Sequence, residues 1–211
     1  NRWSDEEILE EHEFTQELAD EEISVVAPLQ IDGDKTLSAF HQFRFSLYPR
    51  RGGRAPELDD LNCLEILGRF IGRIHSVSTR RRFEHRRAIS IEEYGIETRK
   101  FLLENNFLPL ELLPAYESVS EGLLQDLEPI MTAFPYRSIR LHGDCHMGNI
   151  LWRIDTPHFV DFDDARSGPA IQDLWMMLSG EPSEQSNQMS TILKGYRDFS
   201  DFDYTELRLI E

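Results

Sequence analysis

The chain has 211 residues, of which 40% are hydrophobic, and a formal net charge of -17 at pH 7. This length and composition allow a buried core, organised as one domain or as two small lobes. The acidic balance excludes a general nucleic-acid footprint, because a phosphate backbone would be repelled, and no apolar run approaches the roughly 18 residues of a membrane span.

The first residues, NRWSDEEILEEH, have neither the basic start nor the apolar stretch of a secretory signal. The two cysteines, Cys63 and Cys145, are far apart in the sequence, which does not favour a disulfide scaffold. We therefore expect a cytoplasmic protein with no membrane segment. No sequence pattern indicates an oligomeric state.

A capping box opens the first predicted helix, since Ser4 is followed three positions later by Glu7. Helical spacing then places an acid, Glu11, on an otherwise apolar stripe. The other members of that stripe are Ile8, Phe14 and Leu18.

Three strands are predicted within residues 24–48, where SVVAPLQI and KTLSAF flank an Asp32-Gly33 turn and FRFSLY follows. Tyr48-Pro49 and Gly52-Gly53 then break the pattern. We predict a small lobe over residues 1–48, a hinge or linker over 49–56 and a mainly helical lobe over 57–211.

The second half is predicted to contain helices over residues 60–77, from Ser90 and Glu93 toward Asn105, and around residues 116–130. His75, near the end of the first of these, is expected to be a packed histidine rather than a catalyst. Short strands are predicted at 138–141, 150–152 and 159–162, and helices resume near 170 and 184.

Arginines gather at residues 50–54 and 80–87. Such clusters can clamp phosphate groups or an acidic partner. A solvated face that balances an acidic protein is the interpretation that general charge patterning favours.

The stretch LHGDCHMGNILW, residues 141–152, is rich in chemically active side chains. A zinc site is disfavoured, because His142, Asp144, Cys145 and His146 are too close in sequence to surround one tetrahedral ion unaided. A cysteine nucleophile is also disfavoured, because Cys145 and His146 are neighbours whose side chains diverge in extended backbone.

An interpretation as a phosphoryl-transfer site gives a role to more of these residues than a zinc site or a cysteine nucleophile does. Such a reaction needs an acid that accepts the proton of the acceptor hydroxyl, together with oxygen ligands that hold magnesium against nucleotide phosphates. Asp144 is the candidate acid, and Asn149 and Asp161 are the candidate Mg²⁺ ligands. A hairpin around residues 153–157 would return Asp161 beside Asn149. Taken singly, each could be an ordinary turn residue.

Together, HGDCHMGNILW, FVDFDDA and GPAIQDLW, with RWSDEEILEEHEF near the start, resemble the aminoglycoside phosphotransferase and choline kinase-like family. The resemblance runs along nearly the whole chain and implies an α+β, protein-kinase-like fold with two lobes, the small β-rich lobe being partly missing. It matches Asp144 to the catalytic proton acceptor and Asn149 and Asp161 to the magnesium ligands. It also matches Glu11 to the partner of an ATP-positioning lysine, Asp173 to an acid that braces the catalytic loop, and residues Leu47, Tyr48 and Pro49 to the hinge beside adenine.

The sequence departs from the family pattern in its first residues. No Gly-rich loop and no strand lysine precede Glu11, and Lys35 follows it in a predicted hairpin, where it is a poor substitute. We therefore expect the chain to be a fragment of a longer kinase-like protein. The short interval between Asp163 and Asp173 leaves no room for a long phosphorylated activation segment.

The resemblance implies a phosphotransferase that uses ATP and Mg²⁺ on Ser or Thr of proteins, in a bacterial stress response. Two alternatives stay open at this point. A small-molecule kinase for choline, homoserine or an aminoglycoside would share every motif, and a non-catalytic kinase-like protein would account for the missing lysine.

Overall fold

The computed structural model describes residues 2–31, 33–154 and 156–210. Its α-helices are α1 (Asp5–Asp20), α2 (Leu61–Ser78), α3 (Thr98–Glu104), α4 (Leu113–Ala133), α5 (Gln172–Trp175) and α6 (Pro182–Tyr196). Its strands are β1 (Ser38–Phe40), β2 (Phe43–Phe45), β3 (Ile139–Leu141), β4 (Ile150–Arg153), β5 (Thr156–Phe159) and β6 (Arg166–Gly168). The mixture confirms the α+β class.

Helix α1 begins as predicted. The Ser4 hydroxyl accepts the Glu7 N–H at 3.2 Å, and the Glu7 carboxylate accepts the Ser4 N–H at 2.7 Å. This reciprocal cap satisfies two donors that the first turn of a helix otherwise leaves unpaired. Glu11, Phe14 and Leu18 are buried, so the acid on the apolar stripe is inside the protein.

Two of the three strands predicted within residues 24–48 form, whereas the first, SVVAPLQI, does not form a strand in its described residues. β1 and β2 form an antiparallel pair, and in the described part of the preceding stretch Val25 makes an isolated parallel bridge to Phe159. Pro28 follows closely and cannot donate a hydrogen bond, which interrupts the pairing with Phe159; beyond it the Leu29 N–H donates to the Leu47 carbonyl instead. Asp32 of the predicted turn lies outside the described residues.

The core lies between α1, α2, α6 and the β4–β5 hairpin. Helices α2 and α6 approach closely because glycines face the partner backbone: a Cβ on Gly68 would lie 2.0 Å from the Ile192 carbonyl oxygen, and one on Gly195 would lie 2.0 Å from that of Glu65. Fully buried side chains in this core include Phe14, Leu18, Leu64, Leu67, Ile71, Ile150, Phe159, Leu174 and Tyr196.

Helix α4 forms as predicted, but none of its described residues is buried. Val119, which belongs to its predicted apolar face, is 71% exposed. The helical spacing of the apolar residues therefore predicts the helix correctly, whereas the burial that such spacing usually indicates does not occur in α4.

The hairpin that positions the candidate site is antiparallel, with Ile150 opposite Phe159 and Arg153 opposite Thr156. The predicted second strand at residues 159–162 is wrong by three positions, because the turn is tight: Ile154, at φ 48°, lies in the left-handed region directly after β4. Asp155, within the predicted turn, lies outside the described residues. After Phe159 the backbone bonds to the β4 side once more, through the Val160 N–H and the Asn149 carbonyl, before the chain reaches Asp161.

The predicted linker at 49–56 is paired to this hairpin. The Arg54 N–H donates to the Trp152 carbonyl at 3.1 Å, and the Trp152 N–H donates to the Arg54 carbonyl at 2.6 Å. The division of the chain into lobes at this point stays a prediction. Among the described residues, no helix is long and apolar enough to cross a membrane.

Candidate active site

Asp144 and Asn149 lie in the loop between β3 and β4. The Asn149 side-chain amide donates to the Asp144 backbone carbonyl at 3.0 Å and to its carboxylate at 3.2 Å. Asn149 is buried, whereas the Asp144 side chain is 37% exposed. The loop therefore holds one acid open to solvent and fixes it with an amide from the turn that leads into β4.

Asp161 reaches the same region through the hairpin. The Val160 N–H donates to the Asn149 carbonyl at 3.0 Å, so Asp161 follows directly after the last backbone bond that ties the two segments. Its φ of 64° is left-handed, a strained conformation for a residue with a side chain, and it persists only where the surroundings impose it. Phe162–Asp164 then forms a turn of 3₁₀ helix.

His142 fastens the loop to the end of the hairpin. Its Nε2 lies 2.9 Å from the Val160 carbonyl, which can only accept, so Nε2 carries the proton and Nδ1 accepts the Asp144 N–H at 3.4 Å. Burial lowers the pKa of His142, which keeps the ring neutral and consistent with this tautomer. One imidazole thus links the Asp144 N–H to the Val160 carbonyl, which directly precedes Asp161.

Asp173 holds the loop between β3 and β4 through hydrogen bonds to its backbone. Its carboxylate accepts the N–H groups of His142 at 2.8 Å and Gly143 at 2.9 Å, and it lies 3.0 Å from His75 Nε2. Burial opposes its ionisation, but the hydrogen bond from His75 and the loop donors hold its pKa below the ordinary value. His75 is fully buried and also contacts the Tyr196 hydroxyl at 2.9 Å, so it is a packed histidine as expected.

Glu11 and Asp161 line one cavity of about 430 Å³, together with Val26, Tyr48, Val160, Phe162 and Asp163. Of the residues predicted as the hinge, only Tyr48 lines it. Leu47 is exposed and accepts the Leu29 N–H at 2.7 Å through its carbonyl, and Pro49 is half-buried. The role of Leu47, Tyr48 and Pro49 as the hinge beside adenine stays a prediction.

Glu11 is 5% exposed, and within the described parts of the chain no hydrogen bond reaches its carboxylate. Its nearest basic neighbour is His12 Nε2 at 3.7 Å. Burial, with a smaller contribution from Arg86, lowers the pKa of His12 to about 4, so that ring is neutral near pH 7. Lys35 is exposed in a different cavity, beside Asp34 and Arg44. Glu11 is therefore a buried carboxylate that could bind a cation, and neither the neutral His12 nor the distant Lys35 supplies that cation.

Burial raises the pKa of Glu11 from 4.5 to about 7, against a smaller opposing effect of Arg86. The folded state therefore binds more protons than the unfolded state between these values, and the stability that protonated Glu11 contributes is lost as the pH rises through about 7.

We expect Glu11→Gln to flatten this pH dependence. The variant should gain up to about 3 kcal/mol in unfolding free energy relative to wild type between pH 5 and pH 8, measured by urea denaturation. Glu13→Gln, on the exposed face of the same helix, is the matched control and should keep the wild-type slope. Parallel curves for wild type and Glu11→Gln would contradict a buried Glu11 carboxylate.

Cys145 is buried, and burial raises the pKa of its thiol well above the ordinary value, so it is a packing residue and a poor nucleophile. No group of three or more His, Cys, Asp or Glu side chains in ranges 2–31, 33–154 and 156–210 could hold a metal ion. Magnesium held by one amide and one carboxylate, with phosphates and waters, does not require such a group.

Sequence reasoning missed Arg86. It was included in a cluster interpreted as a solvated face, yet it is 4% exposed and contacts the segment that follows Asp161. No local signal distinguishes it from its arginine neighbours, because its partners, backbone carbonyls of α1 and of the segment after Asp161, are remote in sequence.

This arrangement is built on a protein-kinase-like fold. The structure is similar to amicoumacin kinase hAmiN in complex with AMP-PNP, Ca²⁺ and Ami, with a TM-score of 0.75 and 23% identity over 98% of this chain and 66% of that chain. It is also similar to a microcompartment-associated aminopropanol kinase, with a TM-score of 0.70 and 17% identity over 98% of this chain and 69% of that one. At these identities the likeness concerns the fold.

The chain belongs to the phosphotransferase enzyme family, whose sequence model matches residues 1–210. Stress response kinase A of Escherichia coli O157:H7 is 44% identical over 211 residues, which is all of this chain and 63% of that protein. Serine/threonine protein kinase RdoA of Salmonella typhimurium is 42% identical over 210 residues, again 63% of the relative. The chain thus spans less than two thirds of these relatives, and the resemblance seen in the sequence is confirmed.

Proposed function

We propose that this protein transfers the γ-phosphoryl group of ATP to a Ser or Thr hydroxyl of a protein. The single observation that carries the proposal is that Asn149 bonds to the Asp144 carboxylate through its side chain and to the Val160 N–H through its carbonyl, so that Asp161, far from Asp144 in sequence, follows directly at the end of the same hairpin. The names of the relatives, stress response kinase A and serine/threonine protein kinase RdoA, support the acceptor class and a role in a bacterial stress response.

Asp144 is the proton acceptor in this proposal. It is the exposed acid of the loop, so an acceptor hydroxyl can approach it, and Asn149 and His142 fix its backbone and carboxylate. A positioned carboxylate of this kind orients the hydroxyl and takes its proton as the bond to phosphorus forms.

Asn149 and Asp161 would hold Mg²⁺, and Glu11 would hold the cationic group that positions ATP. The donors fit: magnesium takes oxygen ligands and keeps several waters, and Glu11 is a buried carboxylate without a bonded partner in the described chain. When bound, ATP would supply the phosphoryl group, and Mg²⁺ would neutralise the negative charge on it. Tyr48, Leu47 and Pro49 would flank the adenine, with Tyr48 alone reaching the cavity.

A small hydroxyl compound as acceptor is the second candidate, because the solved structures that share the fold include kinases titled for amicoumacin and aminopropanol. The acidic balance of the chain suits a cationic alcohol, whereas the arginine clusters suit a peptide.

The two candidates are separated by following label from γ-³²P-ATP into protein acceptors and into a panel of amino alcohols. We expect phosphoserine or phosphothreonine after acid hydrolysis of labelled protein, and no label with Asp144→Ala. Label confined to the amino alcohols would replace the first proposal by the second. Absence of transfer to either class, with ATP still bound, would identify a non-catalytic kinase-like protein.

A further inference from the structure

Arg86 lies buried between α1 and the turn that follows Asp161. Its Nε–H donates to the Glu7 carbonyl of α1 at 2.7 Å, and its Nη1 donates to the carbonyls of Asp163 at 2.5 Å and Ala165 at 3.0 Å. Its guanidinium carbon lies 4.5 Å from the centre of the Trp3 ring. One side chain thus bonds to the backbone of two segments that are far apart in sequence.

The backbone that carries Arg86 is itself anchored to α1. The Glu10 carboxylate accepts the N–H groups of Glu84, His85 at 2.9 Å and Arg86 at 2.8 Å. Three successive donors on one carboxylate are charge-assisted bonds, which are stronger than neutral ones. Glu10 and Arg86 therefore form a reciprocal link, which we call the Glu10–Arg86 clamp: a side chain of α1 holds the loop, and a side chain of the loop holds α1 and the turn.

The two segments joined by the clamp carry Glu11 and Asp161, the acids that line the cavity of about 430 Å³. No hydrogen bond within the described ranges holds either carboxylate, so the position of each depends on its backbone. The Asp161 backbone is left-handed at φ 64° and needs support from its surroundings. The turn after it receives that support from Arg86.

We propose that Arg86 is a positioning residue, which sets the separation of Glu11 and Asp161 across the nucleotide cavity, and that Glu10 anchors it. The assignment of nucleotide to that cavity rests on the proposed function; the clamp itself does not. Lysine cannot replace Arg86, because a single ammonium cannot reach three carbonyls in the fixed directions of a planar guanidinium while packing on an indole ring.

The test uses Arg86→Lys and, as the milder change, Glu10→Gln. The matched control is Arg87→Lys, the next residue, which is exposed and pairs with Glu93 at 2.7 Å. Hydrogen exchange by mass spectrometry on the nucleotide-free protein should show amides of residues 160–166 exchanging at least about tenfold faster in both test variants, because charge-assisted bonds to that segment are lost or loosened. Exchange within α2 should stay at the wild-type rate.

A second readout is binding of a non-hydrolysable ATP analogue with and without magnesium. Magnesium should raise the affinity of Arg86→Lys for the analogue about tenfold less than it raises that of wild type, because removing groups that orient metal ligands has an effect of this size. The affinity measured without magnesium should stay within about twofold of the wild-type value. Arg87→Lys should keep both affinities. A merely structural residue would not remove the magnesium effect selectively.

Wild-type exchange at residues 160–166 in both test variants would overturn the proposal, and so would exchange that rises equally in α2, because that result indicates general loosening. If the wild-type protein binds no nucleotide while the selective exchange is seen, the proposed function fails and the clamp stands. Selective exchange together with selective loss of the magnesium effect supports both.

Discussion

Replacing Asp144 by alanine should abolish phosphoryl transfer while leaving ATP affinity within a few-fold of wild type. Asp144 is partly exposed in the loop after β3, and its carboxylate contacts side chains of that same loop, the Asn149 amide at 3.2 Å and His146 Nε2 at 3.5 Å. Its removal therefore leaves the packing intact. A positioned general base contributes about 10²- to 10⁴-fold to a rate, so turnover should fall by at least that range.

The measurement is steady-state turnover with the best acceptor, beside calorimetric binding of the ATP analogue. Asp201→Ala is the matched control, because Asp201 is an exposed aspartate in the loop after α6. Both variants should unfold at the wild-type urea midpoint. Unchanged turnover in Asp144→Ala, or loss of its fold, would contradict the assignment of Asp144 as proton acceptor.

The second large effect is expected from Asp161→Ala, which should weaken binding of magnesium-loaded ATP by at least about tenfold, since changes that only disturb the partners of metal ligands already cost that much. Affinity for ATP without magnesium should be unchanged or slightly improved, because a carboxylate facing the phosphates is removed. Titration calorimetry with magnesium, and separately with a chelator, measures these two affinities.

Asp126→Ala, on the exposed surface of α4, controls for the loss of one negative charge from an acidic protein. It should leave both affinities at wild-type values. If Asp161→Ala binds magnesium-loaded ATP as wild type does, then Asp161 is not a metal ligand, and its position beside Asn149 serves only the turn.

Most helices could be predicted from the sequence, because their signals are local. The cap of α1 and the periods of α2 and α4 all act within a few residues, and each helix lies where its pattern places it. The strands were less predictable. Thr156–Phe159 forms β5 only because a tight turn after Arg153 sets its register against β4, and turn geometry is a property of two segments together.

The sequence supplies the candidate residues of the site, whose roles stay predictions, but it does not supply the contacts that support them. Asp144, Asn149 and Asp161 could be selected because their chemistry and order match one reaction, and the hairpin that brings Asp161 beside Asn149 was expected. Of the three residues predicted as the hinge, only Tyr48 lines the cavity that Glu11 and Asp161 share. Whether a side chain faces a cavity depends on the path of neighbouring segments.

The sequence by itself determined the fold class, the family and the acids to test, because capping, helical period and a dense motif are written in contiguous residues. Only the tertiary structure decided that Arg86 is buried, that His75 and Tyr196 back the brace on Asp173, and that Glu11 shares a cavity with Asp161. The physical reason is that burial and hydrogen bonding depend on which distant segments pack against a residue. The sequence around Arg86, a run of arginines, does not indicate which backbone carbonyls its side chain will bond to.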